Sequence, residues 1–295
     1  MGLGILLMVI TAVWWVILGA IISNSAKKNL NLAFIQGGGA VVTMLLTLPI
    51  YFIGSLKIPV AVLVAVPLSG FLNFFAFDLM NRAMKTGPNG MIWAMIQSAF
   101  VLPFLMGVIF FDVPCPFTRI IGLVLILAAM VLMGIFGQSN EVSGEKKYVW
   151  VFITVIAYLF AGLTQCSVNL PSYLISNSGG TTLLNVLFRM GLSSSGFFIG
   201  YLVNGIGDRS KYSWKGCIPS TILMTLTVIL SLFTTFIGLD RLAKYNIGSI
   251  GFPVVVGTSI VFFTIYTSIQ LKEKLSPSGI FSILLCLAGI VVISL

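Results

Sequence analysis

Arg189 sits inside an apolar run, Leu183-Leu-Asn185-Val-Leu-Phe-Arg189-Met-Gly-Leu. A charge at the centre of a membrane helix costs about 2.5–3.5 kcal/mol on insertion scales, so its place is a bundle interior or a wet cavity. Asn185 lies four residues earlier, on the same helical face. Two readings stand. Arg189 and Asn185 anchor an anion or a polar solute, or Arg189 snorkels to the near interface or pairs with a carboxylate as a packing element. Asp78 closes the run Phe74-Phe-Ala-Phe-Asp78. A proton-coupled process needs a group whose ionisation is linked to occupancy, and in a chain without histidine a carboxylate is the natural one. Arg82 at i+4 offers a plainer explanation, an interfacial ion pair, and Asp240 with Lys244 repeats the spacing.

Uncharged polar groups are scattered through other apolar runs: Gln36, Asn73, Gln97, Gln165 and Thr258. Such amides and hydroxyls replace the hydration of a sugar or an amino acid, or they hold helices together. Trp93 precedes Gln97 by one helical turn, so the two share a face. Trp14, Trp15, Trp93 and Tyr158 could stack on a sugar ring or an apolar solute; otherwise they anchor at the interface or face lipid. The binding candidates are therefore Arg189, Asn185, Gln97, Trp93, Gln36, Asn73, Gln165 and Tyr158, with Asp78 as the proton-coupling candidate.

Other chemistries lack their residues. The absence of histidine removes HExxH zinc sites and His-based triads. Cys115, Cys166, Cys217 and Cys286 are far apart and form no CxxC pattern or disulfide framework. No GxxxxGK[ST] loop is present to hold a nucleotide. An intramembrane lipid phosphatase or transferase needs convergent catalytic groups. Of seven acidic residues, Asp112, Glu141, Glu145 and Asp208 fall in loops without a second acid-rich motif. The reading is a non-enzyme with no cofactor and no metal.

The elements that must position these residues follow from composition. Only 8% of the chain is charged and 58% hydrophobic, with mean hydropathy +1.11, against roughly 25% charged in a soluble domain. Too few polar groups remain to cover a water-facing surface. With about 20 apolar residues needed per crossing, the runs 2–23, 32–54, 58–80, 89–111, 118–137, 148–168, 181–203, 217–239, 247–270 and 277–295 predict ten transmembrane helices. Breaks such as Gly87-Pro88-Asn89-Gly90, Pro114-Cys115-Pro116 and Asn177-Ser178-Gly179-Gly180 separate them. A backbone in hydrocarbon must bond within its own segment or in a closed barrel, and runs without strict alternation choose the helix. Pro49, Pro67, Pro103 and Pro253 lie inside runs and should kink them. Gly37-Gly38-Gly39 and Gly196-x-x-x-Gly200 read as close helix contacts, the triple glycine also as a place where the backbone loosens.

The net charge of +9 comes from sixteen Lys and Arg spread between apolar runs, which marks topology and gives no nucleic-acid stripe. Eleven of them follow the odd-numbered spans, Lys27, Lys28, Arg82 and Lys85 among these, while only Lys57, Arg119, Arg241 and Lys244 lie opposite. The positive-inside rule then puts both termini outside. The run Gly2–Ser23 lacks a basic n-region and a clear cleavage site, so it reads as the first span and not as a signal peptide.

Arg82-Ala-Met-Lys85 matches Arg241-Leu-Ala-Lys244, and Met91–Phe111 then aligns with Ile250–Gln270. Leu127-Ala-Ala129 faces Leu287-Ala-Gly289, and Ile10-Thr11 and Gly19 correspond to Ile153-Thr154 and Gly162. This predicts a first five-helix repeat over 1–138, a cytosolic linker at 139–147 and a second repeat over 148–295. Five is odd, so the halves insert in opposite directions, with a site near the midplane where they meet. The expected fold is an all-α membrane protein of two inverted five-helix repeats around a central cavity.

These residues resemble the drug/metabolite transporter superfamily, of the ten-span EamA-like type, over nearly the whole chain. Leu271-Lys272-Glu273-Lys274-Leu275-Ser276-Pro277 is similar to the family's short GE(K/R)L(S/T)P connection, and Leu285-Cys-Leu-Ala-Gly289-Ile-Val-Val to its closing helix. The first half departs, since Phe111-Asp112-Val113-Pro114-Cys115-Pro116 carries no Glu-Lys pair there. The basic loops and outside termini are similar to the rhamnose–proton symporter branch. The resemblance implies carrier-type transport without ATP. Expected partners are a small metabolite (sugar, amino acid or amphipathic compound), membrane lipids and a proton or other coupling ion, in a monomer or homodimer of the cytoplasmic (inner) membrane. A channel or receptor-like component is the alternative, and an intramembrane lipid-modifying enzyme the remaining one.

Overall fold

A computed structural model describes residues 2–53, 58–111, 116–136, 148–176, 182–245, 248–273 and 276–294. The expected 139–147 linker, Pro114-Cys115, Asn177–Gly180, Lys274-Leu275, Lys57, Asp112, Glu141 and Glu145 lie outside them.

The apolar runs fold as helices α1 (Gly2–Lys27), α2 (Leu32–Thr47), α3 (Ile50–Ile53), α4 (Val60–Met84), α5 (Asn89–Gln97), α6 (Val101–Phe110), α7 (Phe117–Phe136), α8 (Val149–Ser176), α9 (Leu183–Gly205), α10 (Ile218–Ala243), α11 (Gly248–Gln270) and α12 (Pro277–Ser294). No strand occurs among the described residues. Among the described residues, seven segments are long and apolar enough to cross a membrane: α1, α4, α5 continued by α6, α8, α9, α10 and α11. Shorter apolar helices occupy Leu32–Thr47, Phe117–Ala129 and Pro277–Val292. Large aliphatic and aromatic side chains point outward along them, including Leu45, Val60, Phe152, Leu226 and Phe281, a surface suited to hydrocarbon. The chain is a multi-pass membrane protein.

Several boundaries differ from the sequence reading, for identifiable reasons. Helix α1 continues past Ser23 to Lys27, because Ser25 returns its hydroxyl to the Ile21 carbonyl at 2.8 Å and Lys27 suits the negative helix end. Helix α8 runs through Pro171 to Ser176, beyond the expected 168. Pro49 ends a helix instead of kinking one: α2 stops at Thr47, and the single turn of α3 begins after the proline. The 89–111 run is interrupted by a 3₁₀ turn, Ser98–Phe100, where Pro103 deprives the preceding turn of an N–H donor. Pro67 and Pro253 stay inside α4 and α11.

Packing follows from small residues and from polar groups satisfied across helices. Helix α4 lies against α8 and α9, and α10 against α1 and α2; α1 also meets α11, α8 meets α5 and α6, α2 meets α9, and α7 meets α12. The α4–α9 crossing is the tightest: a methyl at Gly70 would overlap the Ser193 carbonyl, and one at Gly196 the Pro67 carbonyl. Gly37 lies under the Tyr201 ring, Gly39 beside Thr225 and Gly200 against Phe74, so both glycine motifs serve close approach. Asn81 donates to the Ile22 carbonyl at 3.0 Å, and Thr11 to the Thr234 hydroxyl at 2.8 Å.

Helix α5 starts with help from far along the chain. Glu273, in the α11–α12 connection, accepts hydrogen bonds from the Asn89 and Gly90 backbone N–H groups (3.0 and 3.1 Å) and from the Asn89 side-chain amide. A carboxylate there meets unpaired N–H donors at the positive end of the helix. Glu273→Gln keeps the size and loses the charge. It should cost about 1 kcal/mol, seen as a lower unfolding midpoint and faster hydrogen exchange at Asn89 and Gly90.

Candidate functional site

A cavity of about 100 Å³ lies where α1, α4, α5, α8, α10 and α11 approach one another, with Phe197 of α9 on one side. That is far above the roughly 10–15 Å³ needed by one water. Trp15, Asn73, Gln165 and Ser231 contribute from near the middle of α1, α4, α8 and α10. The site is therefore central along the bundle. Its walls are mostly apolar, with Phe77, Trp93, Phe197 and Phe252 supplying rings.

The polar groups in the wall fall into two kinds. Some are already bonded: Trp15 Nε1 donates to Ser231 Oγ at 3.1 Å, Gln97 Nε2 to Ser259 Oγ at 3.2 Å, and Thr164 Oγ1 to the Phe160 carbonyl at 2.9 Å. Others are not. The Trp93 indole N–H and the Gln165 side-chain carbonyl are buried without a hydrogen-bond partner. An unsatisfied buried polar group costs about 1–3 kcal/mol, and a water or ligand that reached either atom would recover that cost. Trp93 is held by Phe263, its ring centroid 4.7 Å away. No Asp, Glu, Lys or Arg among the described residues lines the cavity.

Five of the residues singled out from sequence thus meet here: Trp15, Asn73, Trp93, Gln97 and Gln165. The rest are elsewhere. Gln36 lines a separate space of about 10 Å³ with Ser194, and its amide atoms and the Ser194 hydroxyl are unpartnered; the room is about that of one water. Phe197 and Val228 form walls of both spaces. Tyr158 is buried on α8 near Cys286, outside the cavity lining. Thr258 lies on an apolar groove between α11 and α12.

Arg189 is fully buried and forms an ion pair with Asp240 through both terminal nitrogens, its guanidinium 4.6 Å from the Phe236 ring centroid. Asp240 therefore faces Arg189 rather than Lys244, which is exposed. A polar recess of about 440 Å³, lined by Thr182, Asp240, Arg241 and Lys244, lies beside the pair at the α9 N-terminus and the α10 C-terminus. Asn185 receives the Thr182 cap through its backbone N–H, at 3.2 Å, and lies outside the cavity lining. Asp78 pairs with Arg82 at 2.7 Å on the same helix, also away from the cavity.

Sequence reasoning missed Thr164, Ser231, Thr235 and Ser259. A signal existed for two of them, because Thr227, Ser231 and Thr235 recur every fourth residue and put one polar stripe on α10. Compared with known proteins, the chain matches no family model and no curated protein.

Proposed function

We propose that this chain is a secondary carrier of the drug/metabolite transporter type, which moves a small metabolite across the cytoplasmic membrane by alternating access. The observation that carries this reading is the mid-bundle cavity, which draws its wall from both halves of the chain and is lined by two residues, Trp93 and Gln165, that each keep a buried polar atom without a partner. In this reading α1, α2, α4, α5 with α6, and α7 are five spans, and α8 to α12 are five more of inverted orientation, with both termini outside. The packing supports it. Exchanging the halves converts the α4–α8 contact into α10–α1, α4–α9 into α10–α2, and α8 with α5 and α6 into α1–α11; α2–α9 and α7–α12 map onto themselves. Sites at such repeat interfaces, with a broken helix beside them, recur in secondary transporters, and the Ser98–Phe100 turn follows Gln97 directly.

Arg189 and Asp78 have structural duties in this scheme, since each is paired away from the cavity. Substrate contacts fall to Asn73, Trp93, Gln97 and Gln165. Purified protein in liposomes should show saturable uptake of at least one member of a panel of labelled sugars and amino acids, accelerated by unlabelled solute on the far side. Trp93→Phe keeps the ring and removes the N–H, and should raise the half-saturation concentration about tenfold. Ohmic, non-saturating current in planar bilayers would instead make the chain a channel.

A further inference from the structure

We propose that the central cavity selects an uncharged ligand that presents a hydrogen-bond donor and an acceptor beside a flat apolar face. This deepens the carrier reading and rests on it for the place of the site. Three observations lead there. First, no ionisable Asp, Glu, Lys or Arg among the described residues lines the cavity, and the buried pair of Arg189 and Asp240 lies outside its lining and neutralises itself. A charge brought into such a wall loses its hydration and gains no counter-charge, so anions and cations are both excluded.

Second, the unpartnered groups are complementary in kind. Gln165 Oε1 accepts only, and the Trp93 indole N–H donates only. A ligand that supplies a donor to the first and an acceptor to the second, as a hydroxyl pair or a carboxamide does, would satisfy both. Third, Phe263 packs against Trp93 with its ring tilted by 32°, and Phe77 and Phe197 of the wall lie 6.1 Å apart, tilted by 47°, so aromatic rings form much of the remaining wall. Such faces suit a planar heterocycle or the apolar face of a sugar ring.

Two sets of matched probes test this on the purified full chain: nicotinamide with nicotinate, and glucose with glucuronate and glucosamine. Thermal unfolding in detergent reads binding, because a ligand stabilises the state it occupies. The expected result is that nicotinamide or glucose raises the unfolding midpoint, while its charged counterparts need concentrations at least about tenfold higher or have no effect. A charged member acting at an equal or lower concentration overturns the inference, as does a panel in which no member acts.

Gln165→Leu separates a ligand contact from a structural one. It removes a buried acceptor without a partner, so the ligand-free protein should be as stable as the wild type or more so. The shift produced by the neutral probe should be lost. Reduced stability of the ligand-free variant, or an undiminished shift, overturns the role assigned to Gln165 and the inference with it. Trp93→Phe should weaken the same shift while retaining the fold. Proteoliposome flux distinguishes the two levels: a neutral probe that binds but never crosses sinks the carrier reading alone, and a charged probe that crosses saturably sinks the ligand class alone.

Discussion

Arg189→Ala should destabilise the protein by about 3–5 kcal/mol, the loss that follows removal of one partner from a buried ion pair. Arg189 is wholly inaccessible and Asp240 nearly so, and the two meet through two hydrogen bonds. Without the guanidinium, the buried carboxylate of Asp240 loses its charged partner. The sign of the companion experiment is opposite. Arg189→Leu combined with Asp240→Leu removes both charges together and should recover most of the loss, because the pair's Coulombic gain only offsets its desolvation. Thermal unfolding of detergent-solubilised protein reads both. A single variant that unfolds within about 1 kcal/mol of wild type would show that the pair is effectively solvated from the neighbouring recess.

The second large effect lies at the α4–α9 crossing. Gly70→Ala and Gly196→Ala each place a methyl where a carbonyl already stands, on Ser193 and Pro67 respectively. The obstacle is backbone, so no rotamer change relieves it and the helices must separate. Overpacking of this kind costs about 3 kcal/mol or more. Both substitutions act on one contact, so the double variant should lose little beyond either single one. Gly2→Ala is the control: nothing lies within 4 Å of a methyl there, and the change should be neutral. Yield of folded protein and the unfolding midpoint give the comparison. Wild-type behaviour of both glycine variants would mean that the two helices are not packed this closely.

Helix positions were legible because a bilayer leaves the chain few options. A run of twenty apolar residues ended by Gly87-Pro88-Asn89-Gly90 can do little except cross and turn. Trp93 and Gln97 were legible as a pair because one helical turn separates them, and they share the cavity wall. Long-range pairings were not. Asp240 has Lys244 at the spacing of a helical ion pair, and nothing local says that it turns instead to Arg189, fifty-one residues back. Gln36 looked like Gln165 in sequence, yet tertiary packing gave one a water-sized space and the other the central cavity. Hydroxyls such as Ser231 were hidden because serine and threonine bond back to their own helix in lipid and so carry little signal. Thr225, Thr227 and Thr234 do this along the same helix.

Four of the helices that meet at the cavity, α1, α4, α8 and α10, have 26, 25, 28 and 26 residues. At about 1.5 Å of rise per residue each is roughly 38–42 Å long, while the hydrocarbon layer is about 30 Å thick. Such rods must lean or protrude to relieve the mismatch. The cavity sits near mid-height of these rods, so their lean bears on the packing around it. Lys27, Arg82 and Arg241 in their last turns place cationic feet among the headgroups. Any thickening or thinning of the lipid then pulls on those feet and alters the lean of the helices that line the cavity.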